Sequence, residues 1–214
     1  MKAMQFSEVG GPEVLQLVEL PDPVPGEGQV LVRVASAAVN FSDVTRRRGG
    51  AFPQPTPLPF IPGGEVAGEV VALGAGVTEP AVGTRVFGMT GSGYAELVLM
   101  DAQSAVPVPD SLSSDAAAGL TLVGLTASLM IESAGSVQAG ETVFVPAASG
   151  GLANYAIQVA KLNGATVIGG ASTPASAGSR SATVPTMWST TPGPAGSTRC
   201  SSSPAAVGST SRSR

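Results

Sequence analysis

The sequence predicts two successive folds in one chain: a small all-β unit, then an α/β unit that opens a doubly wound parallel sheet. Three observations carry this. Val-rich segments with a period of two recur between Pro- and Gly-rich turns over residues 29 to 100, the pattern of short strands in a small barrel or sandwich. After Pro109 the chain turns to an Ala/Leu-rich run, which suits helices better than strands. Residues 141 to 171 then give an apolar run, a Gly-rich turn, an amphipathic segment and a second apolar run, the β-α-β opening of a parallel sheet.

The elements follow in order. In "QVLVRVASAAV" (29 to 39) Val30, Val32 and Val34 alternate with Leu31, Arg33 and Ala35, because successive side chains of a strand point to opposite faces. "PDPVPGEGQ" stands before it as a turn. "PFIPGGEVAGEVVALGAGV" (59 to 77) repeats the pattern: a Pro-Gly turn, a Val-rich strand, then glycines that permit positive φ. "TRVFGMTGSGYAELVLM" (84 to 100) adds two short strands around a Gly-rich turn. Ser113, Ser114 and Asp115 then offer N-caps to the helical run, since their side-chain oxygens accept first-turn N–H groups. "ETVFVPAA" (141 to 148) is a buried strand, "SGG" a tight turn, "LANYAIQVAKLNG" a helix ending at Gly164, and "ATVIGGA" the second strand.

Composition excludes several classes of function. All fifteen acids precede Ala171, whereas four of the eleven bases follow it, so an acidic body carries a basic tail. An acidic body argues against a nucleic-acid surface; the short basic cluster Arg46 to Arg48 reads as a solvated face. The N-terminus lacks the apolar core of a signal peptide. The longest apolar stretch, residues 116 to 131, is interrupted by Thr and Ser and is shorter than the roughly 20 residues of a membrane span. One cysteine, Cys200, and no histidine exclude a disulfide framework and an ordinary zinc site. The expectation is a soluble protein of a reducing, cytoplasmic compartment, with no metal and no membrane or nucleic-acid partner.

The turn "AASGGLA" (147 to 153) has a chemical use. Small residues let the backbone approach a pyrophosphate, and a helix N-terminus offers free N–H groups and a positive dipole end. Paired glycines at a strand end also serve as plain turn formers, and the spacing is not G-x-G-x-x-G, with Ala153 at the last small position. The place of the glycines, directly after a strand and opening a helix, favours the binding role.

"VNFSD" (39 to 43), "PFIPGGEVAGEVVALGAGV", "GYAEL", "LTLVGLTA" and "AASGGLANYAIQVAK" together resemble the medium-chain dehydrogenase/reductase family, within it the zinc-free quinone oxidoreductase branch that includes zeta-crystallin. The resemblance runs in order over residues 1 to about 174. It implies a GroES-like β-barrel domain over 1–124 and the first β-α-β of a Rossmann NAD(P)-binding domain over 125–174. It also implies NADPH as cofactor and hydride transfer to a quinone, an enone or an enoyl-thioester, with homodimers in intact relatives. A non-catalytic role, as a GroES-like binding module or a crystallin-like structural protein, stands as the alternative. The zinc branch has a histidine in a Gly-His-Glu block where Gly64 stands here, so zinc-assisted alcohol chemistry is not expected.

Carried over by position, Asn40 and Asp43 fall on the cleft-facing, catalytic Asn and Asp of the branch. Thr126 falls near the nicotinamide carboxamide, Ser149, Gly150, Gly151, Leu152 and Ala153 on the pyrophosphate turn, and Ser172 where an adenosine 2′-phosphate is met. Each has a structural reading beside it. Asn40 and Asp43 equally suit an Asx turn or the cap of a helical turn ending at Gly49, and Thr126 a plain helix position. Thr45 replaces the tyrosine common in the branch, a departure that counts against quinone as the acceptor.

Residues 175–214 depart from the resemblance. From Ala171 onward Ser supplies twelve of forty-four residues and Leu, Ile, Phe and Tyr are absent. Such a segment does not offset its ordering entropy and reads as a disordered tail. A shifted reading frame gives another origin. Met187 and Trp188 have single codons, so the shifted junction is GTG, a forced valine. Around it, residues 183 to 191 permit Gly-Ala-Asp-His-Val-Val-Asp-Tyr, and residues 204 to 213 permit Gly-Gly-Arg-Gly-Val-Asp-Val-Ala-Leu. Both resemble family blocks, in the family's order. The expectation is a frame slip near Ala175, leaving an incomplete second domain with impaired activity.

Overall fold

A computed structural model describes residues 1–50, 55–171 and 187–190, the last four and Ala171 by their backbone alone. The chain divides into two compact units, with the boundary after Leu125.

The first unit is built on a five-stranded antiparallel sheet in the order β6-β3-β4-β5-β7. Its strands are β3 (Gln29–Ala37), β4 (Glu65–Leu73), β5 (Arg85–Met89), β6 (Leu97–Asp101) and β7 (Val106–Pro107). The period-two pattern becomes the core: Val30, Val32, Val66, Val70 and Val86 are fully buried, and Val98 and Met100 nearly so. Val32 lies opposite Val70 on one side and Val98 on the other. Each such valine contributes about 1.5–3 kcal/mol of apolar burial, which fixes the register because a slip by one residue would turn every valine to the other face. The register shifts between Val34 and Ser36. Gly68 faces Val34 there, and a Cβ on Gly68 would stand 2.1 Å from the Arg33 carbonyl oxygen.

A ribbon lies outside the sequence pattern, whereas a helical turn follows Asn40 as one sequence reading expected. β1 (Lys2–Gln5) pairs antiparallel with β2 (Gln16–Glu19), a ribbon whose polar residues hide the period. α1 (Phe41–Arg47) follows β3. Gly10 and Arg47 bind α1 to the ribbon's loop: the Gly10 N–H donates to the Arg47 carbonyl at 2.8 Å, and Arg47 Nη1 donates to the Gly10 carbonyl at 2.7 Å. The helical run is divided into α2 (Ser114–Ala118) and α3 (Thr121–Ser128), the latter continued by a π-helical turn over Leu129–Ala134. Ser113 caps α2 through the Ala116 N–H. Ala117 and Ala118 pack on Ala67 and Val108 of the sheet side, and the Ser36 hydroxyl donates to the Asp115 carboxylate.

The second unit holds β8 (Thr142–Val145), α4 (Gly151–Leu162), β9 (Thr166–Ala171) and β10 (Met187–Thr190), with the parallel order β10-β9-β8. Ala153, Ala156, Ile157 and Ala160 form the buried face of α4, the spacing of one helical stripe. They pack with Val145, Ala148 and Val167. Gly164 ends the helix with a φ of 80°, the left-handed conformation glycine adopts without strain.

β10 corrects one expectation. Nothing in the sequence of 184–200 has the pattern of a strand, yet Met187–Thr190 pairs parallel with Ile168–Ala171. The flank of β9 offers unpaired main-chain donors and acceptors, and a short extended segment returning to it satisfies them. The other residues of the expected tail, Cys200 among them, lie outside the described residues.

Candidate functional site

Asn40 and Asp43 meet at the start of α1. Asn40 is extended, with φ −110° and ψ 154°, and takes the N-cap position, while Asp43 stands at the third helical residue. The Asp43 Oδ2 accepts the Asn40 backbone N–H at 2.9 Å, and the Asn40 side chain reaches over the Asp43 N–H in the reciprocal half of a capping box. Asn and Asp suit these positions because their short side chains accept N–H groups that the helix leaves unpaired. These bonds form the cap, one of the two readings open from sequence.

Asp43 is buried, and its two oxygens hold three segments together. Oδ1 accepts the Gly63 N–H at 3.1 Å, and Oδ2 also accepts the Tyr94 hydroxyl at 3.2 Å. Gly63 has a φ of 101°, and a Cβ there would stand 2.7 Å from both the N and Cδ1 of Tyr94. Only glycine fits both the backbone and the space. Burial raises the Tyr94 phenol above its ordinary range, and the Asp43 charge and hydrogen bond raise it further. Both Asp43 oxygens thus accept hydrogen bonds from the surrounding framework.

Glu65, the first residue of β4, is 1% exposed. Its Oε1 accepts Asn40 Nδ2–H at 2.9 Å and its Oε2 accepts the Leu122 N–H at 2.7 Å. The pair joins the cap of α1 to the first turn of α3. Asn40 itself is half-buried between Val39 and Phe41, which are 76% and 82% exposed. A fixed amide thus stands between two apolar shoulders. The Thr45 hydroxyl donates to the Phe41 carbonyl at 3.0 Å, so it serves its own helix.

A Cβ on Gly64 would meet no atom within 4 Å. Among the described residues no three His, Cys, Asp or Glu side chains gather as a metal site.

The Gly-rich turn lies in the second unit. Ala147 has a positive φ of 50°, a conformation a side chain disfavours by roughly 1–2 kcal/mol. Gly150 caps α4 with no side-chain hydrogen bond, and its carbonyl accepts the Asn154 N–H at 2.9 Å. The N–H groups of Gly151, Leu152 and Ala153 therefore precede the first intrahelical donor. A Cβ on Gly151 would meet nothing within 4 Å. Open space before an uncapped helix N-terminus fits the pyrophosphate of a dinucleotide. Ala153 faces the core, at 9% exposure, whereas Leu152 is at the surface. Thr126 is half-buried on α3 and hydrogen-bonded or otherwise engaged. Ser172 lies outside the described residues.

Sequence reasoning missed Glu65, Gly63, Tyr94 and the Leu122 N–H as parts of the Asn40–Asp43 cluster. Their signal lay in "GGE" and "GYAEL", where polar and aromatic residues interrupt otherwise apolar strand ends.

Residues 26–110 match the alcohol dehydrogenase GroES-like domain. Over 175 residues the chain is 39% identical to a quinone oxidoreductase of Pseudomonas aeruginosa, a match covering 81% of this chain and 53% of that protein. A mycobacterial protein solved in complex with NADPH is similar at 39% identity and a TM-score of 0.76, over 83% of this chain and 55% of that one. The CurK enoyl reductase is similar at 28% identity and a TM-score of 0.76, over 81% of this chain and 55% of that one. The chain spans about half the length of the curated relatives it matches. Among the described residues no helix is long and apolar enough to cross a membrane.

Proposed function

We propose that the chain is a member of the medium-chain dehydrogenase/reductase family, in its quinone oxidoreductase branch, built for NADPH-dependent hydride transfer to a quinone or another conjugated carbonyl; the similarity to quinone oxidoreductases over about 80% of this chain supports this. The observation that carries this is the open, uncapped N-terminus of α4 directly after β8. In this reading the N–H groups of Gly151, Leu152 and Ala153 hold the pyrophosphate, with Ser149 and Gly150 shaping the turn. The same reading assigns Thr126 to the nicotinamide, and Ser172, which is outside the described residues, to the 2′-phosphate. When bound, the nicotinamide supplies the hydride. Asn40 supplies a fixed amide hydrogen to the acceptor's carbonyl oxygen, and Asp43 holds the cap that positions it. The exposed Val39 and Phe41 suit the apolar ring of such an acceptor.

The similarity to an enoyl reductase supports a second acceptor class, the enoyl-thioester. Residues 183–191 and 204–213 permit further family blocks in a shifted frame, which supports a frame-corrected chain as the active form and an impaired chain as written. The gene sequence tests the second point: codons that do not spell those blocks in the shifted frame remove it. NADPH oxidation measured with a quinone, an enone and an enoyl-thioester, for both chains, tests the first. Turnover with one class by the corrected chain, and weak turnover by the other, is the expected result. No turnover and no NADPH-dependent rise in melting temperature of the corrected chain would return the non-catalytic role.

A further inference from the structure

Asn40 carries two amide hydrogens and one carbonyl oxygen, and their sense is fixed by what surrounds them. Glu65 is acceptor-only when ionised, so its Oε1, 2.9 Å away, takes an Nδ2 hydrogen and leaves Oδ1 toward the Asp43 N–H. The second carboxylate oxygen is held by the Leu122 N–H at 2.7 Å, so Glu65 has no freedom to release the amide by rotating. One Nδ2 hydrogen remains, and the side chain that bears it is half-buried between two exposed apolar residues.

We infer that Glu65 is a positioning residue: it locks the amide sense of Asn40 and ties the α1 cap to the first turn of α3, so that a single N–H donor is presented to a ligand carbonyl oxygen. This rests on the hydride-transfer reading for the ligand and on the geometry alone for the lock. The polarity of the chain of bonds is its signature. Glu65→Gln turns one acceptor into a donor aimed at another donor. Adding Asn40→Asp in the same protein restores both bonds, the one between positions 40 and 65 in the opposite sense. The amide nitrogen introduced at position 65 donates to the carboxylate introduced at position 40. The amide oxygen at position 65 accepts the Leu122 N–H, and the new carboxylate caps α1. That double variant has the fold and lacks the outward hydrogen.

Three readouts on the full chain test this. In ¹⁵N spectra the two Asn40 side-chain amide protons of the wild type are resolved, one exchanging slowly; Glu65→Gln averages them or speeds that exchange. The urea midpoint falls for E65Q and recovers in E65Q/N40D. With NADPH and an enone or quinone, E65Q/N40D loses about five- to tenfold in acceptor kcat/KM, the worth of one hydrogen bond, despite its recovered stability. Unchanged Asn40 amide protons in E65Q, or no recovery in the double variant, overturns the lock. Wild-type acceptor kcat/KM in the double variant overturns the ligand-facing role. Absence of turnover in the wild type, in both the present and the frame-corrected chain, overturns the hydride-transfer reading and the ligand-facing role with it, while the first two readouts still decide the lock.

Discussion

The Tyr94 hydroxyl donates to Asp43 Oδ2 across 3.2 Å, joining residues fifty-one positions apart in the sequence. Because the folded phenol is raised above its ordinary value of 10.0 by burial and by Asp43, the proton is held more tightly in the folded state. That contribution to stability is complete below about pH 10 and is lost as the pH rises through the folded value. Denaturant midpoints in the wild type should be unaffected by this group from pH 8 to about pH 10 and fall with alkalinity above about pH 10. Tyr94→Phe should flatten that dependence and lower the neutral-pH stability by about 1 kcal/mol.

Gly63→Ala tests the same cluster from the backbone side. The φ of 101° and the 2.7 Å approach to Tyr94 combine backbone strain with overpacking. Together these should cost about 2–4 kcal/mol, read as a shift in the urea midpoint. The substitution should also loosen the hydrogen bond from the position-63 N–H to Asp43, seen as faster exchange of that backbone amide than in the wild type.

At the nucleotide turn the opposite is expected. A side chain on Gly151 meets only open space, so Gly151→Val should change stability by less than about 1 kcal/mol. It should nonetheless weaken NADPH binding by about tenfold or more by filling the approach to the free N–H groups. Titration calorimetry on the frame-corrected chain separates the two effects.

Ala147 supplies a gain rather than a loss. Its positive φ of 50° is one that glycine adopts without strain, although glycine loses more entropy on folding. Ala147→Gly should raise the stability of the second unit by about 0.5–1 kcal/mol, visible in its thermal unfolding.

Much of the architecture was written locally. The alternation of Val30, Val32 and Val34 and the stripe Ala153, Ala156, Ile157 and Ala160 are short-range signals that one burial face imposes on a strand or helix. The cap formed by Asn40 and Asp43 was likewise legible as one of two readings, since both partners lie within four residues. The rest of the cluster was not. Glu65 meets Leu122 across fifty-seven positions, and no periodicity encodes which buried acid finds which backbone N–H. β10 escaped for a related reason: Met187–Thr190 gains its order from the flank of β9, not from a strand-like pattern of its own.

The sheet of the second unit ends at β8, whose only partner among the described strands is β9. Phe144 on that strand is 46% exposed. A parallel strand with no partner on one flank among the described strands and an exposed aromatic is a template on which an extended chain gains hydrogen bonds. The consequence is colloidal: this molecule's behaviour in solution should depend on its concentration, with dilute samples monodisperse and crowded ones associating through the second unit while the valine core of the first stays intact.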